Sequence, residues 1–132
     1  GINNGTEAFA IRSVRDKRYK LILNLNHESK FTNACTKMPL FRSMVAKAEA
    51  GDVLAKRLVH AYHHRPALEL FDMEADPLEM NNLAGQADTK KVLARLRQKL
   101  AAWMRAQGDK GVATEMKALE RQRPGKSRKK NR

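Results

Sequence analysis

The apolar residues change their spacing several times along this chain, and each change marks an element. Residues 8 to 25, AFAIRSV-RDKR-YKLILNL, alternate: Tyr19, Leu21, Leu23 and Leu25 share one face at period two, and Phe9 and Ile11 share a face of the segment before them. Period two places every second side chain on the same side of a strand, so this segment predicts a β-hairpin closed by a tight polar turn, with that face in the core. NHESKFTNACTKMP mixes turn formers with isolated apolar residues and predicts an irregular loop. From Leu40 to Tyr62 the spacing becomes helical, with Met44, Val45, Ala48, Val53, Leu54, Leu58 and Tyr62 recurring every three to four residues around an interruption at Gly51-Asp52. Asp52 has the side chain of an N-cap, so the region predicts two short helices or one broken helix. Residues 67 to 73, ALELFDM, return to strand spacing, with Leu68 and Leu70 opposite Glu69 and Phe71. Residues 89 to 107 give the strongest pattern: Val92, Leu93, Leu96, Leu100, Trp103 and Met104 form one stripe, with Lys and Arg on the other face. Asp88 or Thr89 can cap the start of that helix and Gly108 its end.

Charge changes the picture at one end only. The chain of 132 residues has the length of one domain and carries a formal net charge of +13. Residues 121 to 132, RQRPGKSRKKNR, hold seven Lys or Arg and no acid, leaving +6 for the rest. A segment without apolar residues cannot offset the entropy of ordering, so residues 121 to 132 read as a solvated, disordered stretch, and the chain is expected to divide into a folded unit spanning 1–109 and a basic, disordered tail, 110–132. Its candidate contacts to a polyanion, whether nucleic acid, anionic lipid or sulfated glycan, are Arg121, Arg123, Lys126, Arg128, Lys129, Lys130 and Arg132. No stretch approaches the roughly 20 apolar residues that span a membrane, and no signal-peptide pattern opens the chain. The opening GINNG has no initiator methionine, as expected of a piece of a longer protein.

Three constellations could carry chemistry. Glu69, Asp72, Glu74, Asp76 and Glu79 crowd five carboxylates into ELFDMEADPLE, and Asp72, Glu74 and Asp76 alternate as a calcium loop opens. Such a loop needs glycine at its sixth position and glutamate at its twelfth, where this chain has Pro77 and Leu83. Pro77 instead makes ADPLE a turn in which Asp76 can accept backbone N–H groups, with Asn81 and Asn82 repeating that chemistry, so the cluster reads as scaffolding. His60 and His64 stand one helical turn apart, as two zinc ligands would. The glutamate of a zinc-hydrolase motif is missing, however, because positions 61 and 63 are alanine and histidine. The single cysteine, Cys35, has no partner for an intrachain disulfide and no zinc spacing. Neither a phosphate-cradling glycine loop nor a Gly-x-Ser-x-Gly motif occurs, and no complete catalytic or metal-binding set is apparent.

The order of the pieces carries more information than any cluster. IRSVRDKRYKLILNL, then HHRPALELFDMEADPLEMNNLAG, then an amphipathic helix ending LAAWMRAQGD, resembles the C-terminal region of sulfatases of the N-sulfoglucosamine sulfohydrolase (heparan N-sulfatase) type. The resemblance covers roughly residues 1 to 109. It implies an α+β unit: a small antiparallel sheet of about four strands, a long C-terminal amphipathic helix packed across it, and a helical insert. This unit would be the smaller subdomain beside a large alkaline-phosphatase-like catalytic domain. An antiparallel sheet with one covered face is also what the alternating segments ask for.

The resemblance further implies a parent enzyme that hydrolyses sulfate esters or N-sulfo groups, on sulfated glycans, in the periplasm or outside the cell. Such a parent needs calcium and a formylglycine made from a Cys/Ser-x-Pro-x-Arg motif. Here the spacing from Cys35 meets Lys37 and Pro39, so Cys35 is not that nucleophile, and no catalytic, metal or cofactor residue is assigned to this chain. The role expected of it is to dock on the catalytic domain and border the substrate cleft, with Asn3, Asn4 and His27 as candidate sugar contacts. An apolar face left uncovered would also favour self-association. The alternative, a free-standing polyanion-binding module, rests on the basic tail and the basic helix face, and its binding would weaken steeply with salt.

Overall fold

The computed structural model describes residues 9–117. Strand β1 (Ile11–Arg15) and strand β2 (Tyr19–Asn24) form the expected hairpin. Asp16 closes it: its Oδ1 accepts the backbone N–H groups of Arg18 at 2.9 Å and Tyr19 at 2.7 Å. Strand β3 (Leu68–Asp72) lies antiparallel on the other side of β2, with Leu21 opposite Leu70. Among the described residues the sheet has three strands in the order β1-β2-β3, where about four were expected.

The missing strand has a local substitute. The outer edge of β3 would leave polar backbone groups of Leu68 and Leu70 without partners. Asn82 supplies them: its Oδ1 accepts the Leu70 N–H at 2.9 Å and its Nδ2 donates to the Leu68 carbonyl at 3.0 Å. The Leu83 N–H then donates to the Leu70 carbonyl at 2.8 Å. One side-chain amide and one peptide thus do the hydrogen bonding of a short edge strand.

Helix α3 (Lys90–Ala106) packs across the sheet face that carries Val14, Leu21, Leu23, Leu68 and Leu70 and makes the core with it. Leu21, Leu70 and Leu96 are fully buried and Leu100 nearly so, with Val92, Leu93 and Met104 packed around them. Two expectations about that core are corrected. Ile11 is 44% exposed although Phe9 is buried, because the register pairs Val14 with Leu21 and so turns Ile11 to the opposite face. Trp103, counted in the apolar stripe, is 53% exposed at its margin.

The insert between β2 and β3 is a helical hairpin of α1 (Pro39–Glu49) and α2 (Val53–His63). Gly51, at φ +102°, makes the left-handed turn between them, and the Asp52 carboxylate caps α2 by accepting the Ala55 N–H at 2.8 Å. Aromatic contacts hold the insert to the loop before it: Phe31 meets Phe9 edge-on at 5.1 Å and Tyr62 at 5.4 Å, and Phe41 meets Tyr62 at 4.9 Å. The Phe31 N–H also donates to the His63 carbonyl at 2.8 Å.

The fold runs past the boundary expected at residue 109. Helix α4 (Val112–Met116) follows Gly111, whose φ of +65° reverses the chain, and Glu115 of this helix pairs with Arg12 of β1. The remainder of the expected tail, including Arg121, Arg123, Lys126, Arg128, Lys129, Lys130 and Arg132, lies outside the described residues.

Candidate functional site

The carboxylate-rich stretch is engaged residue by residue. Asp72 accepts a forked pair of hydrogen bonds from Arg18, at 2.6 Å from Nη2 and 2.9 Å from Nε, and also the N–H groups of Glu74 and Ala75 at 3.2 Å each. The Arg18 guanidinium is the main reason the Asp72 carboxyl is held down to about 2. Glu79 takes Lys20 Nζ at 2.8 Å, Glu69 takes Asn24 Nδ2 at 2.5 Å, and Asp76 takes the Asn81 N–H at 2.7 Å. Three of the five carboxylates, Glu69, Asp72 and Glu79, therefore tie β3 and its following turn to the β1–β2 hairpin, and Asp76 closes the turn itself. Glu74, the most exposed, reaches Arg18 at 3.8 Å.

No group of three His, Cys, Asp or Glu stands where it could hold a metal ion among the described residues. The calcium implied for the parent enzyme does not fit these side chains, whose oxygens already accept from Arg18, Lys20, Asn24 and backbone amides. His60 and His64 stack with ring centroids 4.8 Å apart, while His63 between them turns inward and hydrogen-bonds the Phe31 carbonyl through Nδ1 at 2.7 Å. Cys35 is exposed in a single 3-10 turn, Ala34–Lys37.

Of the candidate cleft contacts, His27 is exposed in the loop after β2, and Asn3 and Asn4 lie outside the described residues. The structure brings together residues that no sequence spacing connects. Between α2 and the sheet lies a hollow of about 440 Å³, whose walls include Phe31, Arg57, Tyr62, Arg65, Glu69 and Glu79. The Arg65 guanidinium sits 4.0 Å from the centre of the Phe31 ring, and burial pushes its pKa down, only partly offset by Glu69. Phe31 and Arg65 are far apart in the chain and each looks unremarkable alone, so only the fold could reveal the pair.

A second hollow, of about 520 Å³, opens beside α3 between Ile11, Arg12, Trp103 and Gln107. Arg12 lies beneath it, donating from Nε and Nη2 to Asp109 and from Nη2 to Glu115 at 2.6 Å. The hydrogen bond to Asp109 is the largest cause of a raised Arg12 pKa, and the same bond lowers that of Asp109.

No protein-family model matches the chain. Over 104 residues, 79% of its length, it is 34% identical to an ulvan-active sulfatase of Formosa agariphila. It is 31% identical over 106 residues to another ulvan-active sulfatase of the same organism. It is 32% identical over 102 residues to the N-sulphoglucosamine sulphohydrolase of Homo sapiens. The chain spans 19%, 18% and 20% of the lengths of these three relatives, about one fifth.

Proposed function

From the premise that this chain is a sulfatase-related α+β segment, we propose that it is the C-terminal subdomain of a sulfatase, a support for the catalytic domain that borders the substrate cleft. The observation that carries the reading is the asymmetry of the match, which takes in 79% of this chain but 19% of the relative. A segment of that proportion works as part of a larger body. The surface fits the role: Ile11 and Trp103 present apolar area beside the second hollow, at 44% and 53% exposure, as a docking lobe requires.

In this reading the parent's activity, on sulfate esters or N-sulfo groups of glycans, uses a formylglycine and calcium held elsewhere in the parent. The residues here contribute rigidity. The Arg18–Asp72, Lys20–Glu79 and Arg12–Asp109 pairs fix the sheet, its following turn and the end of α3 against one another. The expected result is that the purified 132-residue chain shows no turnover of a chromogenic sulfate ester. Sustained turnover would overturn the proposal.

The seven Lys and Arg of residues 121 to 132 favour a second role, contact with a polyanion. Binding to heparin that disappears on deleting those residues would assign it to the tail. Binding that persists would assign it to the folded part.

A further inference from the structure

Three half-buried cations occur among the Lys and Arg side chains of the described residues: Arg12, Lys20 and Arg65. The first two are matched by carboxylates, Arg12 by Asp109 and Glu115, Lys20 by Glu79. Arg65 has no carboxylate within 4.0 Å among the described residues. Its neighbour Glu69 acts on it from farther away and accepts the Asn24 amide instead. A partly desolvated cation without a matching anion is costly, and a charged group perturbed by burial at the wall of a hollow is a candidate binding group.

The geometry gives the ligand its shape. The Arg65 guanidinium carbon lies 4.0 Å over the centre of the Phe31 ring, and none of the hydrogen bonds among the described residues is donated by that guanidinium, so its N–H groups are left for water or a ligand. Arg57, exposed next to Leu58 and one helical turn before Ala61, adds a second guanidinium to the same hollow, whose two lining carboxylates, Glu79 and Glu69, are taken by Lys20 and the Asn24 amide. Phe31, Leu58, Tyr62 and Met80 supply apolar and aromatic surface around it. A volume of about 440 Å³ falls within the range of small-molecule sites.

We infer that this hollow binds an oxyanion, a sulfate or a carboxylate, carried on a single sugar ring, with Arg65 and Arg57 holding the anion and the apolar wall facing the ring. The sugar carrier rests on the sulfatase reading above; the affinity for an oxyanion does not.

The test is a titration of the isotope-labelled full chain, followed by NMR at constant ionic strength, with glucose 6-sulfate, glucuronate and glucose as probes. Saturable shifts of the Arg65 side chain and of the Phe31 and Tyr62 amides are expected with one or both charged sugars and not with glucose, and the arm that responds identifies the anion. Arg57→Gln, at an exposed position, should keep the fold and weaken that binding about ten-fold, as loss of a charge-assisted hydrogen bond does. An equal response to glucose, no saturation with either charged sugar, shifts confined to residues 121–132, or undiminished binding in both Arg57→Gln and Arg65→Gln would overturn the site. Such a failure leaves the support role standing, because that role is read from the sulfatase assay.

Discussion

Arg12 occupies a strand position that faces α3, where an apolar residue would ordinarily sit, and its charge is accommodated by Asp109 and Glu115. The three side chains are only 15%, 9% and 16% exposed, so removing the cation strands two carboxylates in a poorly hydrated place. Arg12→Met is expected to cost about 2 to 3 kcal/mol in urea unfolding. Arg95→Ala, which breaks an exposed pair with Asp16, should cost under about 1 kcal/mol. Equal costs would show that Arg12 is not an anchor. The carboxylates also set the response to acid. Asp16 is held at about 2, first by the Tyr19 N–H and then by Arg95, Asp72 is held at about 2 by Arg18, and Asp109 is lowered by Arg12. Each carboxyl binds a proton less readily in the folded chain than in the unfolded one, where the ordinary value is 3.8. The unfolded state therefore gains protons first as pH falls, and the stability these groups contribute is complete above about pH 5 and is lost between about pH 4 and pH 2. The Tm measured across that window should fall steeply, and Asp72→Asn should lower it at neutral pH while flattening the fall. A variant whose acid profile matched the parent's would remove Asp72 from the account.

At the scale of the element, the sheet depends on a side chain that is not in a strand. Asn82 closes the outer edge of β3, so Asn82→Ala leaves the Leu70 N–H and the Leu68 carbonyl to water or to a foreign strand. A loss of about 1 to 2 kcal/mol is expected, with faster amide exchange at Leu70 than at Leu21. Unchanged exchange at Leu70 would show that the edge is closed by other means. The same detail explains the strand count: a sequence pattern can announce a strand, but a lone amide standing in for one has no period to detect. The helical hairpin was more legible, because Gly51 and Asp52 are local signals whose effects stay within one turn.

At the scale of the whole molecule, the apolar residues that remain outside bear on how the chain behaves alone. Ile11 and Trp103 line one hollow and are both substantially exposed. If they meet the catalytic domain in the parent enzyme, the isolated chain should self-associate through them: sedimentation should show a concentration-dependent increase in mass, reduced in Trp103→Arg. A strictly monomeric chain at high concentration would count against that surface. The sequence by itself determined the hairpin, the helical hairpin, β3, α3 and the structural character of the carboxylates, because periodicity, caps and turn residues act between near neighbours. Tertiary structure alone decided the outward turn of Ile11, the partners of Arg12, the substitution of Asn82 for a strand and the meeting of Arg65 with Phe31. Those depend on strand register and on contacts between residues tens of positions apart, whose energies are felt only once the chain has closed on itself.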